Sequence, residues 1–249
     1  MPVPTDPSPS ATWAHGLPEG VRRRVTRHLG PWTPTGVTPT EPLGTVTGVA
    51  RTPAGPVEVS AAPLDHPAAA ALEASARLLQ TVPLGPAVLF HEPSPEWTVL
   101  VIQHLGRSSG RPDPDALKHA LLVLSRHPWP GAADAVPLAQ RLAPYLPDGA
   151  DRDLAGDCTV HTQLPWAIGR PANGPAAVRV TGWQHACPGP PWADTALTVG
   201  WLTRSGWPPE QAQAWGRRAS TAYADAPGAA VALLALAAER AAAQATRSS

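Results

Sequence analysis

Apolar residues recur along this chain in two rhythms, one helical and one alternating. Val21, Val25 and Leu29 fall at i, i+4 and i+8, with Arg22, Arg23, Arg24 and Arg27 between them. Leu17 to Leu29 therefore predicts a short amphipathic helix with a solvated basic face. Residues 43 to 51 and 57 to 62 alternate about the turn P-A-G-P and predict a hairpin. Residues 67 to 81 are rich in Ala and Leu and open on Pro67, which predicts a helix. Trp97 to Gln103, W-T-V-L-V-I-Q, is the clearest strand. Leu117, Ala120, Leu121 and Leu124 share one face of a helix over 116 to 126, and a short helix follows around 138 to 146. Residues 209 to 225 and 228 to 245 predict two more, the last with Val231, Leu234 and Ala238 in register.

The stretches between these elements divide the chain. Residues 1 to 12 are Pro/Ser-rich and aperiodic, and are expected to form a disordered tail. Residues 107 to 114 are polar and Pro/Gly-rich, the expected hinge. That leaves a strand-bearing first lobe at 13 to 106 and a helical second lobe at 115 to 249, an α+β chain.

The chemistry concentrates between Cys158 and Trp215. The segment reads D-C-T-V-H-T-Q-L-P-W-A, then a Pro/Gly linker, then V-R-V-T-G-W-Q-H-A-C-P-G-P-P-W-A-D-T-A. Val160 and His161 end one short apolar strand and Val178 to Val180 make a second, each running into a tight polar loop. Such a layout is that of a catalytic centre.

This layout resembles the second lobe of the aminoglycoside phosphotransferases, kinase-fold enzymes that phosphorylate small-molecule hydroxyls. That family reads V-H-T-D-L-H-P-x-N, then a strand ending V-D-W, then a Gly, a Trp, a D-P-A and a helix. His161, Trp183, Gly189, Trp192, Asp194 and Ala196 keep this frame in order. The resemblance implies a two-lobe, protein-kinase-like fold with a trimmed helical second lobe. It makes His161 a loop organiser and Asp194 a structural carboxylate bonded back to the catalytic loop. The residues that would carry the chemistry differ. Gln163 stands where the family has its base, and an amide has no proton affinity near neutrality. Ala167 or Ile168 stands at the magnesium-binding Asn, and Gly182 at the metal-binding Asp. Magnesium is held by oxygens, and these side chains offer none.

The hairpin at 43 to 62 aligns with the nucleotide cover of the same family. Ser60 falls where the phosphate-anchoring lysine belongs, and Glu73 is the candidate for its helix partner. Gly44 and Gly48 are candidate remnants of a phosphate-covering loop, or strand bends. The chain holds one lysine, Lys118, on the polar side of the helix after the hinge.

Composition narrows the classes. The 249 residues carry a formal net charge of +0 with 43% hydrophobic positions, enough for real cores and without a nucleic-acid footprint. No apolar run reaches membrane-span length and no secretory pattern opens the chain, so a cytoplasmic protein is expected, with no membrane or nucleic-acid partner. Two cysteines make no disulfide framework. The 33 prolines and the preference for Arg over Lys fit high-GC coding. Cys158, His161, His185 and Cys187 have donor types suited to zinc, against the bland reading of two small buried thiols and two loop histidines. A Ser/His/Asp set has no G-x-S-x-G elbow to seat it. Trp192, Trp201, Trp207 and Trp215 are either groove walls or packing anchors.

The expectation is a catalytically degenerate phosphotransferase-family protein, pseudokinase-like. It would hold a metabolite, peptide or protein partner in the interlobe cleft or on the second lobe, with Glu73, His161, Gln163, His185, Trp192 and Asp194 as candidate contacts. No cofactor is expected. The rival is an ATP- and magnesium-dependent transferase with an atypical site; a third reading is a Cys/His metal module.

Overall fold

The computed structural model describes residues 9–37, 45–107, 113–130, 135–170 and 178–248. The chain divides into two compact units. One runs to Thr81 and takes in Pro86–Leu105; the other comprises Val82–Gly85 and the chain from Gly106 onward. The expected hinge at 107 to 114 lies just after that division, though 108–112 fall outside the described residues. Val82–Gly85 goes with the second unit because Val180 N–H donates to the Leu84 carbonyl at 2.8 Å and Arg179 Nη1 to the Pro83 carbonyl at 2.9 Å.

The first unit opens on a 3-10 helix, Pro9–Gly16. The expected tail therefore ends earlier than 12; residues 1–8 lie outside the described residues. Trp13 and Ala14 are buried, and that anchors the segment. Helix α1 (Glu19–Leu29) buries Val21 and Val25 as the spacing predicts. Strands β1 (Thr33–Val37), β2 (Val46–Thr52) and β3 (Gly55–Pro63) lead to helix α2 (Pro67–Thr81), then β4 (Val88–Pro93) and β5 (Trp97–Gln103). The sheet is antiparallel throughout, in the order β1-β2-β3-β5-β4. Val57, Val59, Ala61, Val99 and Val101 pack with Trp13, Leu17, Val21 and Val25 into one core. Alternation sends Ser60 and Leu100 to the other face, and α2 packs against β3 and β5.

The second unit has short strands and many helices. β6 (Gly106–Arg107) is followed by α3 (Pro114–Leu124), which Asp113 caps by accepting the Asp115 N–H at 3.0 Å. Lys118 is exposed on it. Helix α4 (Leu138–Leu142) tightens into a 3-10 turn at Ala143–Tyr145, where Pro144 cannot continue an α-helix. β7 (Cys158–Val160), α5 (Leu164–Ala167), β8 (Ile168–Arg170), β9 (Arg179–Val180) and β10 (Cys187–Gly189) build the centre. β7 pairs with β10, and β8 lies between β6 and β9. Helices α6 (Ala193–Arg204), α7 (Pro209–Ala219), α8 (Thr221–Ala224) and α9 (Gly228–Ser248) complete it. The single helix expected at 209 to 225 is two, because the Ser220 hydroxyl accepts the Tyr223 N–H and starts a new one. Leu138, Val160, Cys187, Trp192 and Leu234 belong to its main core. Among the described residues no helix is long and apolar enough to cross a membrane.

Candidate functional site

The loop after β7 is organised by one carboxylate. Asp194, in the first turn of α6, is buried; its Oδ2 accepts the His161 N–H at 2.7 Å and its Oδ1 the Thr162 N–H at 2.8 Å. Thr162 is held at φ +68, which a β-branched residue seldom adopts. Burial pushes the Asp194 carboxyl up to about 6, and the two backbone donors offset part of that.

His161 is fully buried. Its Nε2 lies 2.7 Å from the Thr181 carbonyl, which only accepts, so Nε2 carries the proton. Its Nδ1 is then a bare lone pair, and it has no hydrogen-bond partner among the described residues. Burial lowers the ring to about 4, so it is neutral. The ring meets Trp183 edge-on at 5.0 Å, and the Trp183 indole donates to the Val180 carbonyl at 2.6 Å. His161 and Asp194 are both buried, and their hydrogen bonds run to backbone groups of the same two loops.

The residues that the sequence comparison singled out lie in and around the short helix α5 and the loop after β9. Gln163 is exposed before α5, whose Trp166 stands 70% exposed with its edge against Trp201 at 5.3 Å. The Ala167 carbonyl accepts both the N–H and the hydroxyl of Thr181, at 2.8 and 3.2 Å. Ile168 is buried and pairs with Val180. Gly182 sits at φ +75, ψ +33, the left-handed region that Gly, Asn and Asp enter most readily. A magnesium ion seeks octahedral oxygens, and Gln163, Ile168 and Gly182 supply no carboxylate. These residues do not fit the metal.

Ser60 and Glu73 belong to the first unit. The Ser60 hydroxyl accepts from Thr47 Oγ1 at 3.4 Å, a neutral pair between neighbouring strands. Glu73 is half-buried and acts on His91, raising that ring's affinity for protons while burial and Arg77 lower it. Gly48 has a packing role: a Cβ there would stand 2.1 Å from the Trp13 ring. The phosphate-loop reading of Gly48 is thereby corrected, and Gly44 lies outside the described residues.

The Cys/His set does not converge. Among the described residues no three His, Cys, Asp or Glu side chains could hold a metal ion. Cys187 pairs with Val160, and alternation turns His161 to the opposite side of β7. Both thiols are free, and burial pushes Cys187 up to about 12. Trp192 is buried in the helical core. His185 is half-buried, and its carbonyl takes Arg141 Nη1 at 2.6 Å.

Arg141 is the residue that sequence reasoning missed. Its Nη2 also donates to the Ala186 carbonyl at 3.1 Å and its Nε to Val136 at 3.0 Å, clamping the loop after Trp183. Its partners are carbonyls, which leave no side-chain signature to read.

No family model matches the chain, and no curated protein matches it. Solved structures do. A type VIII aminoglycoside-3′-phosphotransferase superposes with a TM-score of 0.61 at 18% identity, over 90% of this chain and 99% of that one. The phosphotransferase APH(4)-Ia gives 0.54 at 11% identity, over 90% and 88%. APH(3″)-Id from Streptomyces rimosus gives 0.51 at 16% identity, over 89% and 97%. Likeness at these identities speaks for architecture. The chain has the kinase-like α+β fold of the aminoglycoside phosphotransferases, with a β-sheet first lobe and a helical second lobe.

Proposed function

We propose that this chain is a catalytically degenerate member of the aminoglycoside phosphotransferase family, a pseudokinase-like cytoplasmic protein that binds or regulates. One observation carries the reading. The Asp194–His161–Thr162 scaffold is fully formed, yet the positions it presents carry Gln163, Ala167 or Ile168, and Gly182. Phosphoryl transfer rests on positioning and charge neutralisation, and a base position without a base and metal positions without ligands supply neither. Its ligand is a metabolite, peptide or protein partner, and neither ATP nor magnesium is required.

The test is thermal unfolding of the full chain with ATP, ADP and GTP, each with and without magnesium, beside an assay for phosphate transfer to an aminoglycoside. The expected result is no magnesium-dependent shift and no transfer. A shift that requires magnesium, or measurable transfer, overturns the reading, because a ligand that binds the folded state well above its Kd must raise the midpoint.

A further inference from the structure

Helices α6, α7 and α9, with Tyr223 and Ala224 of α8, line an open pocket of about 540 Å³, in the range of small-molecule sites. Its floor is apolar and made of small or medium residues, Ala196, Val199, Val231 and Ala235 among them. α6 carries a glycine in its interior here, Gly200, at a cost of roughly 0.5–1 kcal/mol against Ala. A Cβ at Gly200 would lie 3.3 Å from Arg204 Nη1, so the Arg204 guanidinium reaches back one turn over the cavity wall. Arg217 also lines the space and acts on the phenol of Tyr223, another lining residue. Among the described residues neither arginine has a carboxylate within 4 Å. Glu239 is the acid in the lining, leaving the wall with one excess positive charge.

From these features we infer that the cavity is a binding site for a small apolar molecule bearing one anionic head, carboxylate or phosphate, with the head met by Arg204 or Arg217 and the body on the Ala/Val floor. Guanidinium forks match both head groups. The charge is opposite in sign to what a polycationic aminoglycoside would need. This inference deepens the binding-protein reading and rests on it only in that the chain holds a ligand; it does not depend on the absence of phosphoryl transfer.

The test is calorimetric titration of the full chain with decanoate and with decyl phosphate, against decyltrimethylammonium, all below their micelle-forming concentrations. Saturable one-to-one binding of an anion, at least tenfold tighter than the cation, is expected, and the tighter anion names the head group. Replacing both arginines, Arg204→Gln together with Arg217→Gln, should weaken it at least fivefold, and Ala235→Phe, at an exposed lining position, should weaken it tenfold or more with an unchanged unfolding midpoint. Equal affinity for cation and anions, no saturable binding of either anion, or an Ala235→Phe variant that binds as well as the parent overturns the site. The nucleotide experiment above is untouched by any of these results, so the two readings fail separately.

Discussion

The Asp194 carboxylate holds Thr162 in a left-handed conformation by accepting its N–H at 2.8 Å while taking the neighbouring His161 N–H at 2.7 Å. Two backbone donors inside the protein depend on one side chain. Each left without a partner costs roughly 1–3 kcal/mol. Asp194→Ala should therefore destabilise the chain by about 3 kcal/mol. Thr162→Gly should do the reverse, holding stability or raising it by about 1 kcal/mol as the left-handed strain is relieved. Urea unfolding of both variants checks the pair; equal losses in the two would mean the contact holds no strain.

The same buried groups set a pH dependence that is hidden in the parent chain. Asp194 is raised to about 6, so the folded state holds its proton the more tightly. Its contribution is full below about pH 4 and is lost as pH rises through 6, about 3 kcal/mol in all. His161 is lowered to about 4, so the unfolded state binds its proton first. That contribution is full above about pH 6.5 and is lost as pH falls through 4, again about 3 kcal/mol. The two slopes oppose each other between about pH 4 and 6. His161→Phe should leave a stability that falls as pH rises across this window, and Asp194→Asn one that falls as pH drops. Parallel curves for the parent and both variants would refute the assignment.

Much of this was legible in the sequence, for identifiable reasons. α2 and β5 came out residue for residue because helix propensity with an opening proline in one, and an apolar, largely β-branched run in the other, agree with the fold there. β1 was missed. T-P-T-G-V has no alternation, and it forms only as an edge strand with a bulge between Pro34 and Gly36. The Asp194 contact followed from the resemblance, since spacing alone does not place a carboxylate 32 residues away against a loop amide. The roles of Arg141, Gly48 and Trp192 depend on carbonyls and packed faces that only the fold brings together.

Gly48 gives a direct check of that packing. Any side chain on this β2 residue drives into the indole of Trp13, which is stacked on Trp32 at 5.8 Å. The strand and the 3-10 helix would have to separate, and overpacking of this kind costs typically 1–3 kcal/mol. Gly48→Ala should lower the unfolding midpoint by several degrees. Gly20→Ala, in the first turn of α1 with open space around it, should raise it slightly, since a helical glycine is replaced without a clash. A neutral Gly48→Ala would mean that Trp13 moves aside freely.

The proposed degeneracy predicts that the expected base and metal ligands can be introduced by substitution. Gly182 already has the backbone conformation that Asp tolerates, and a Cβ there makes ordinary contact with His161 Cε1 at 3.8 Å. Gly182→Asp should fold with a loss of about 1 kcal/mol. Gln163→Asp is exposed and should cost little. Ile168→Asn is the expensive change, since Ile168 is buried and the amide must find partners. A chain carrying all three, if it remains folded, regains a base and two oxygen ligands. It should then show a magnesium-dependent rise in unfolding midpoint with ATP that the parent lacks. Transfer should stay slow, because the Ser60–Thr47 pair offers the phosphates no cation. A folded triple variant with no magnesium response would mean that the loop has lost the geometry as well as the side chains. A parent chain with the full response would mean that the metal is held by residues other than these three.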